Sequence, residues 1–169
     1  MNLKSLICIL SVIVISCNDK KVSHTDTEKA AQDTTTQIAS NQNAPTKIDI
    51  KDLGNLVGQK PTESKIFEMD HLGKRFEKLM GEHYAEFKSD WNQETPFMKD
   101  GEIIYFVGCK APNCSENKFF VMIDLITDNI NIIHIMNGRP VSHEESSVIG
   151  MTDKLAQDFE KCRSSNQIL

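Results

Sequence analysis

Residues 102–136 hold three runs of β-branched and aromatic residues, EIIYFVG, KFFVMIDLI and INIIHIM, with connections too short to carry a crossover helix. Lys99-Asp100-Gly101 before the first run and Thr127-Asp128-Asn129 before the third are turn signals. Consecutive strands joined this way can only pair antiparallel, as a meander. The runs are nearly continuous in apolar character instead of alternating, so both faces of the sheet are expected to be covered.

Helical patterns flank these strands. Met69, Leu72, Phe76, Leu79, Met80, His83, Phe87 and Trp91 recur at steps of three and four, which puts them on one face of an amphipathic helix. Asp70 is a candidate cap, and Gly81 marks a break before a second short turn. After the turn signal Asn137-Gly138-Arg139-Pro140, Ser142 and Glu145 have capping-box spacing and predict a short helix. Thr152 caps a last helix, with Leu155, Ala156, Phe159 and Cys162 on one face. The fold class is α+β, a central antiparallel meander flanked by helices.

The first residues belong to another regime. Lys4 gives a positive n-region and residues 6–15 (LICILSVIVI) an apolar stretch too short to span a bilayer comfortably. The run ends Val14-Ile15-Ser16-Cys17, similar to the lipobox of bacterial lipoproteins, in which the Cys thiol receives diacylglycerol. Residues 1–16 therefore read as a cleaved signal and Cys17 as the lipidation site; several acyl chains at about 0.8 kcal/mol per methylene hold a protein firmly to a membrane. Residues 18–46 contain no Leu, Met, Phe, Tyr or Trp, so residues 17–47 read as a lipidated, flexible tether and residues 48–169 as one domain. Asn18 in place of Asp after the acylated Cys favours the outer membrane, facing the periplasm.

The formal net charge of −5 falls on the domain, because the charges of the first fifty residues balance. Nucleic acid is excluded as a partner by that sign, and a basic protein is favoured. No nucleophile motif, phosphate-binding glycine loop or zincin motif is present, so no catalytic residue, metal site or cofactor is assigned. The five histidines, His24, His71, His83, His134 and His143, form no pair at metal-ligand spacing within one element and each reads as structural or solvated.

With Cys8 lost in the signal and Cys17 acylated, Cys109, Cys114 and Cys162 remain in an oxidising compartment. Cys109 ends one strand and Cys114 precedes the next, so a hairpin brings them within bonding distance. Closing so short a ring is worth roughly 2 kcal/mol; the larger effect is a stiff tip. Such a tip reads either as a plain staple or as a projection whose ordering entropy is lost before binding. Cys162, on an apolar helix face, reads as a buried free thiol, with a thiol sensor or envelope enzyme as the alternative.

Residues 100–122 (DGEIIYFVGCKAPNCSENKFFVM) resemble the heart of the inhibitor of vertebrate lysozyme family, Ivy, in which a disulfide-closed Cys-Lys-x-x-x-Cys loop lies between two strands; Phe76 and Gly81-Glu82-His83 extend the likeness. The resemblance implies a periplasmic α+β domain that blocks c-type lysozyme by pushing that loop into its active-site cleft. Cys109, Lys110 and Cys114 match the family loop, whose centre in its best-studied members reads Pro-His-Asp, the His reaching the catalytic carboxylates. Here Ala111, Pro112 and Asn113 stand there instead. A missing hydrogen bond to charged groups costs about 1.5 to 3 kcal/mol. Lys110 to Asn113 are the expected target-binding loop. A lytic transglycosylase of the cell itself, or another envelope protein, is the alternative partner.

Overall fold

A computed structural model describes residues 49–166, 168 and 169. The signal, Cys17 and the tether lie outside the described residues. Six strands build one sheet: β1 (Gln93–Glu94), β2 (Met98–Asp100), β3 (Ile103–Cys109), β4 (Asn117–Asp124), β5 (Asn129–Met136) and β6 (Arg139–Glu144). Its order is β1-β3-β4-β5-β6, all antiparallel, with β2 also paired to β3. The three predicted runs are β3, β4 and β5, in register from Ile103↔Asp124 to Cys109↔Lys118 and from Asn117↔Met136 to Asp124↔Asn129.

Both faces are covered, which is why the strands read as continuous apolar runs. Ile104, Phe106, Phe119, Val121, Ile123, Ile130 and Ile132 meet α1 (Asp70–Met80) and α2 (Tyr84–Ser89), while Tyr105, Val107, Phe120, Met122, Ile133 and Ile135 meet α3 (Asp153–Ser164). On the first face Leu72, Phe76, Met80, Phe87 and Trp91 are buried as the stripe requires. Phe87 stands edge-on to Phe119 at 5.1 Å and Trp91 lies 5.5 Å from Phe106, separations at which aromatic pairs attract. The stripe bends at Gly81, whose φ of 53° suits a residue without a Cβ, and a single 3-10 turn (Gly81–His83) leads into α2.

On the opposite face Thr152 caps α3 by accepting from Leu155 N, as expected. Lys118, buried in β4, donates to the carbonyls of Cys162 and Ser165 at the C-terminal end of α3, where a cation complements the helix dipole. Tyr105 Oη donates to Asp158 Oδ2 at 2.8 Å and Lys154 bonds both, which fixes the first half of α3 on the sheet. Burial pushes the Tyr105 phenol up and is only partly offset by Lys154.

Two expectations fail. Residues 139–144 form the edge strand β6 and not a helix, with Ile132↔His143 and Ile133↔Ser142 in register. Asn137 and Gly138, with φ of 51° and 73°, make the tight turn that folds β6 onto β5, so cross-strand pairing overrides the capping spacing. Glu145 instead receives Arg75 of α1 in a two-pronged contact, Nε to Oε1 at 2.8 Å and Nη2 to Oε2 at 2.5 Å. Asp70 is not the cap of α1; it is the first helical residue and pairs with Lys74 at 2.8 Å, and Met69 stands at the cap without a side-chain bond. The short edge strands β1 and β2 were not expected either. They flank Pro96, which cannot donate to a ladder, so the edge is broken there.

Candidate functional site

The β3–β4 hairpin closes over the six residues from Cys109 to Cys114. Their Cα atoms are 5.1 Å apart, the two cysteines are disulfide-bonded, and both are buried. The base is fixed because the residue before Cys109 has no side chain. A Cβ on Gly108 would fall 1.9 Å from Cε3 of Trp91, so the indole lies flat against the β3 backbone and any larger residue drives it out.

One flank of the loop is bolted to the segment that follows α2. Ala111 N donates to Asn92 Oδ1 at 2.7 Å, and Lys110 Nζ lies 3.5 Å from Asp90 Oδ1. The Ala111–Pro112 peptide is cis. Asn113 O accepts from Glu116 N at 2.9 Å and Asn117 N at 3.3 Å, which returns the chain to β4, and Glu116 O accepts from Asn137 N in the neighbouring turn. Lys110, Pro112, Asn113, Ser115 and Glu116 remain exposed, with Ala111 half-buried. The loop therefore stands free at its tip and is held at its base.

Behind the base runs a polar bracket. Asp90 is buried and accepts from Ser89 Oγ at 2.8 Å and from Asn117 Nδ2 at 2.9 Å, in addition to its contact with Lys110. A buried carboxylate is tolerable only when so engaged. Asn117 Nδ2 also donates to Glu86 Oε1 at 2.9 Å, so its Oδ1 is an acceptor, and His134 Nε2, 2.5 Å away, must carry the proton. His134 is buried in β5, stacked on Phe119 at 4.4 Å, and its Nδ1 has no partner. Burial above all, then His83 and His143, push its pKa down to about 4. His143 is lowered for the same reasons, burial first and His83 second.

The structure contains the Cys109–Cys114 disulfide that the sequence reading expects, and it adds the bracket, which that reading missed. Asp90, Asn92, Asn117 and the grouping of His83, His134 and His143 come from five different parts of the chain. Only the β5–β6 register reveals that His134 and His143 point to the same side. Cys162 is buried, and burial pushes its thiol up to about 11, so a neutral, covered thiol is what the helix face predicted. Among the described residues no group of three His, Cys, Asp or Glu could hold a metal ion, and no helix is long and apolar enough to cross a membrane.

A two-faced antiparallel sheet that presents a covalently closed, rigidly braced loop defines a small binding module. The model of the family "Inhibitor of vertebrate lysozyme (Ivy)" matches residues 71–163, more than half of the chain, from α1 through the loop to the end of α3. The chain belongs to that family, an inhibitor family of the bacterial envelope whose protein partner is lysozyme. A search of curated proteins and a search of solved structures returned no match.

Proposed function

We propose that this protein binds a c-type lysozyme and inhibits it by inserting the Cys109–Cys114 loop into the active-site cleft, from a lipid anchor on Cys17 in the bacterial envelope, at the outer membrane facing the periplasm. The observation that carries the reading is the division of the loop into a bolted base and a bare tip. Asn92, Asp90 and the disulfide occupy one flank, and Pro112 and Asn113 stand clear of it. A tip already ordered before contact avoids the entropy that a flexible loop would lose on docking, about 0.5 to 1.5 kcal/mol per immobilised side chain.

Without the family's loop His, polar contact falls to Asn113, whose amide offers donors and an acceptor, and to the Lys110 ammonium. Lys110 faces Asp90 from the solvent side, so its charge remains available to carboxylates in a cleft. Titration of the protein into a c-type lysozyme assay tests this. Stoichiometric loss of muramidase activity is expected, weakened by about tenfold or more in Asn113→Ala and in Lys110→Ala. Full lysozyme activity at micromolar protein contradicts it.

The changed tip, Ala111-Pro112-Asn113, favours one other target for the same scaffold, a lytic transglycosylase of the cell itself. Recovery of that enzyme on the immobilised protein, with c-type lysozyme left unbound, would select this second partner. The burial of Cys162 weighs against the remaining alternative, an envelope enzyme or thiol sensor built on that thiol.

A further inference from the structure

The three imidazoles behind the Cys109–Cys114 loop, the finger of this fold, are not used by the binding reading. His83, in the turn before α2, presents its ring 5.7 Å from that of His134 and 6.4 Å from that of His143. The groups that face them come from every neighbouring element. Glu82 and Glu86 lie 3.9 and 3.8 Å from the His83 nitrogens, Arg75 and Lys78 of α1 with Glu144 and Glu145 line the pocket that holds His143, and Asn117 and Phe119 of β4 hold His134. Asp90 is the acidic group whose charge reaches His134, and it is already engaged by Lys110, Ser89 and Asn117.

A second proton on His134 would therefore enter a site with an aromatic ring on one face, no acceptor at Nδ1 and two further imidazoles beside it. An imidazole that cannot be charged in place gains its proton by leaving. Its departure takes the Nε2–H from Asn117, and Asn117 is the residue that ties β4 to Asp90 and Glu86.

We propose that acid loosens the finger: a second proton on His134, crowded by the imidazoles of His83 and His143, undoes the His134–Asn117–Asp90 bracket, so that the protein grips its partner near neutral pH and releases it in acid. The proposal rests on the finger being the binding element. The sign follows from linkage. His134 takes its proton near pH 6.5 when exposed and only at about 4 in place, so the opened state binds more protons and is favoured progressively as pH falls between those values.

Amide hydrogen exchange at Ala111 and Asn117, corrected for its intrinsic pH dependence, reads the bracket directly in the full chain without a partner. Opening is expected to rise by more than about tenfold from about pH 7 to about pH 5 in the native protein. It should stay flat in His134→Gln, which keeps a donor for Asn117 and cannot be charged. His83→Gln, at a half-exposed site, removes the neighbouring imidazole that disfavours a charged His134 and should lessen the rise, which keeps the test open if the buried substitution fails to fold. No rise in the native protein, or an equal rise in both variants, overturns the proposal. The affinity for c-type lysozyme, measured over the same range, separates the two readings. Absent binding at neutral pH with an acid-opened bracket defeats the binding reading alone, and unchanged affinity with a closed bracket defeats the acid response alone.

Discussion

β4 ends in a hairpin turn at each extremity, and the two turns are held in different ways. At its C-terminal end the β4–β5 turn is fastened from outside: Arg75 reaches from α1 to Asp128 Oδ1 at 2.5 Å and to the Asp128 carbonyl at 2.8 Å, and the same guanidinium holds Glu145. At its N-terminal end the finger is fastened from within and from behind, by its own disulfide, by Asn92 and by the Asp90–Asn117–His134 bracket. The first arrangement spends the turn's polar groups on locking a helix to the sheet. The second leaves Pro112 and Asn113 exposed, which is what separates a structural turn from one that can meet another protein.

The largest expected effect strikes the finger's foundation. Gly108→Ala places a methyl inside the Trp91 ring, and unfolding in denaturant should show a loss of about 3 kcal/mol, with Trp91 fluorescence shifted as the indole is expelled. Acid should come next. The depressed pKa of His134 means that stability is complete above pH 6.5 and falls as pH drops toward 4, by on the order of 2 to 3 kcal/mol, and His134→Gln should abolish that part of the pH dependence.

Replacing both Cys109 and Cys114 by Ala removes the covalent tie and should cost about 2 kcal/mol in a denaturant titration, with a far larger effect on lysozyme inhibition than on the fold. The smallest effect belongs to the other turn. Arg75→Met leaves two partly solvated carboxylates unpaired and should cost about 1 kcal/mol by thermal unfolding while leaving inhibition intact. Inhibition lost through Arg75 and retained without the disulfide would reverse the comparison.

What could be read from the residues alone follows the range of the forces involved. The three central strands, the Leu72 to Trp91 stripe and the Thr152 cap are specified by neighbours a few positions apart, and each lies where the periodicity put it. The Cys109–Cys114 pair was legible because a hairpin is local. β6 was not, since Ser142 and Glu145 satisfy a helical spacing while Asn137-Gly138 and the β5 partner decide the outcome from outside that window. Gly108 read as the end of an apolar run, and its role appears only when Trp91, seventeen positions earlier, is laid on it. The bracket was least legible of all: Asp90 sits beside the last residue of the stripe, Asn117 just before the second apolar run and His134 within the third, and only the sheet register brings them together.

Affinity for a c-type lysozyme, measured with the disulfide intact and again after selective reduction, with near-ultraviolet circular dichroism confirming that the fold survives, tests the central claim most directly. The account predicts stoichiometric binding by the oxidised protein and a loss of more than about tenfold on reduction, because the tip is then no longer held in its binding shape. Equal affinity in both states, or no binding by the oxidised protein, would contradict it.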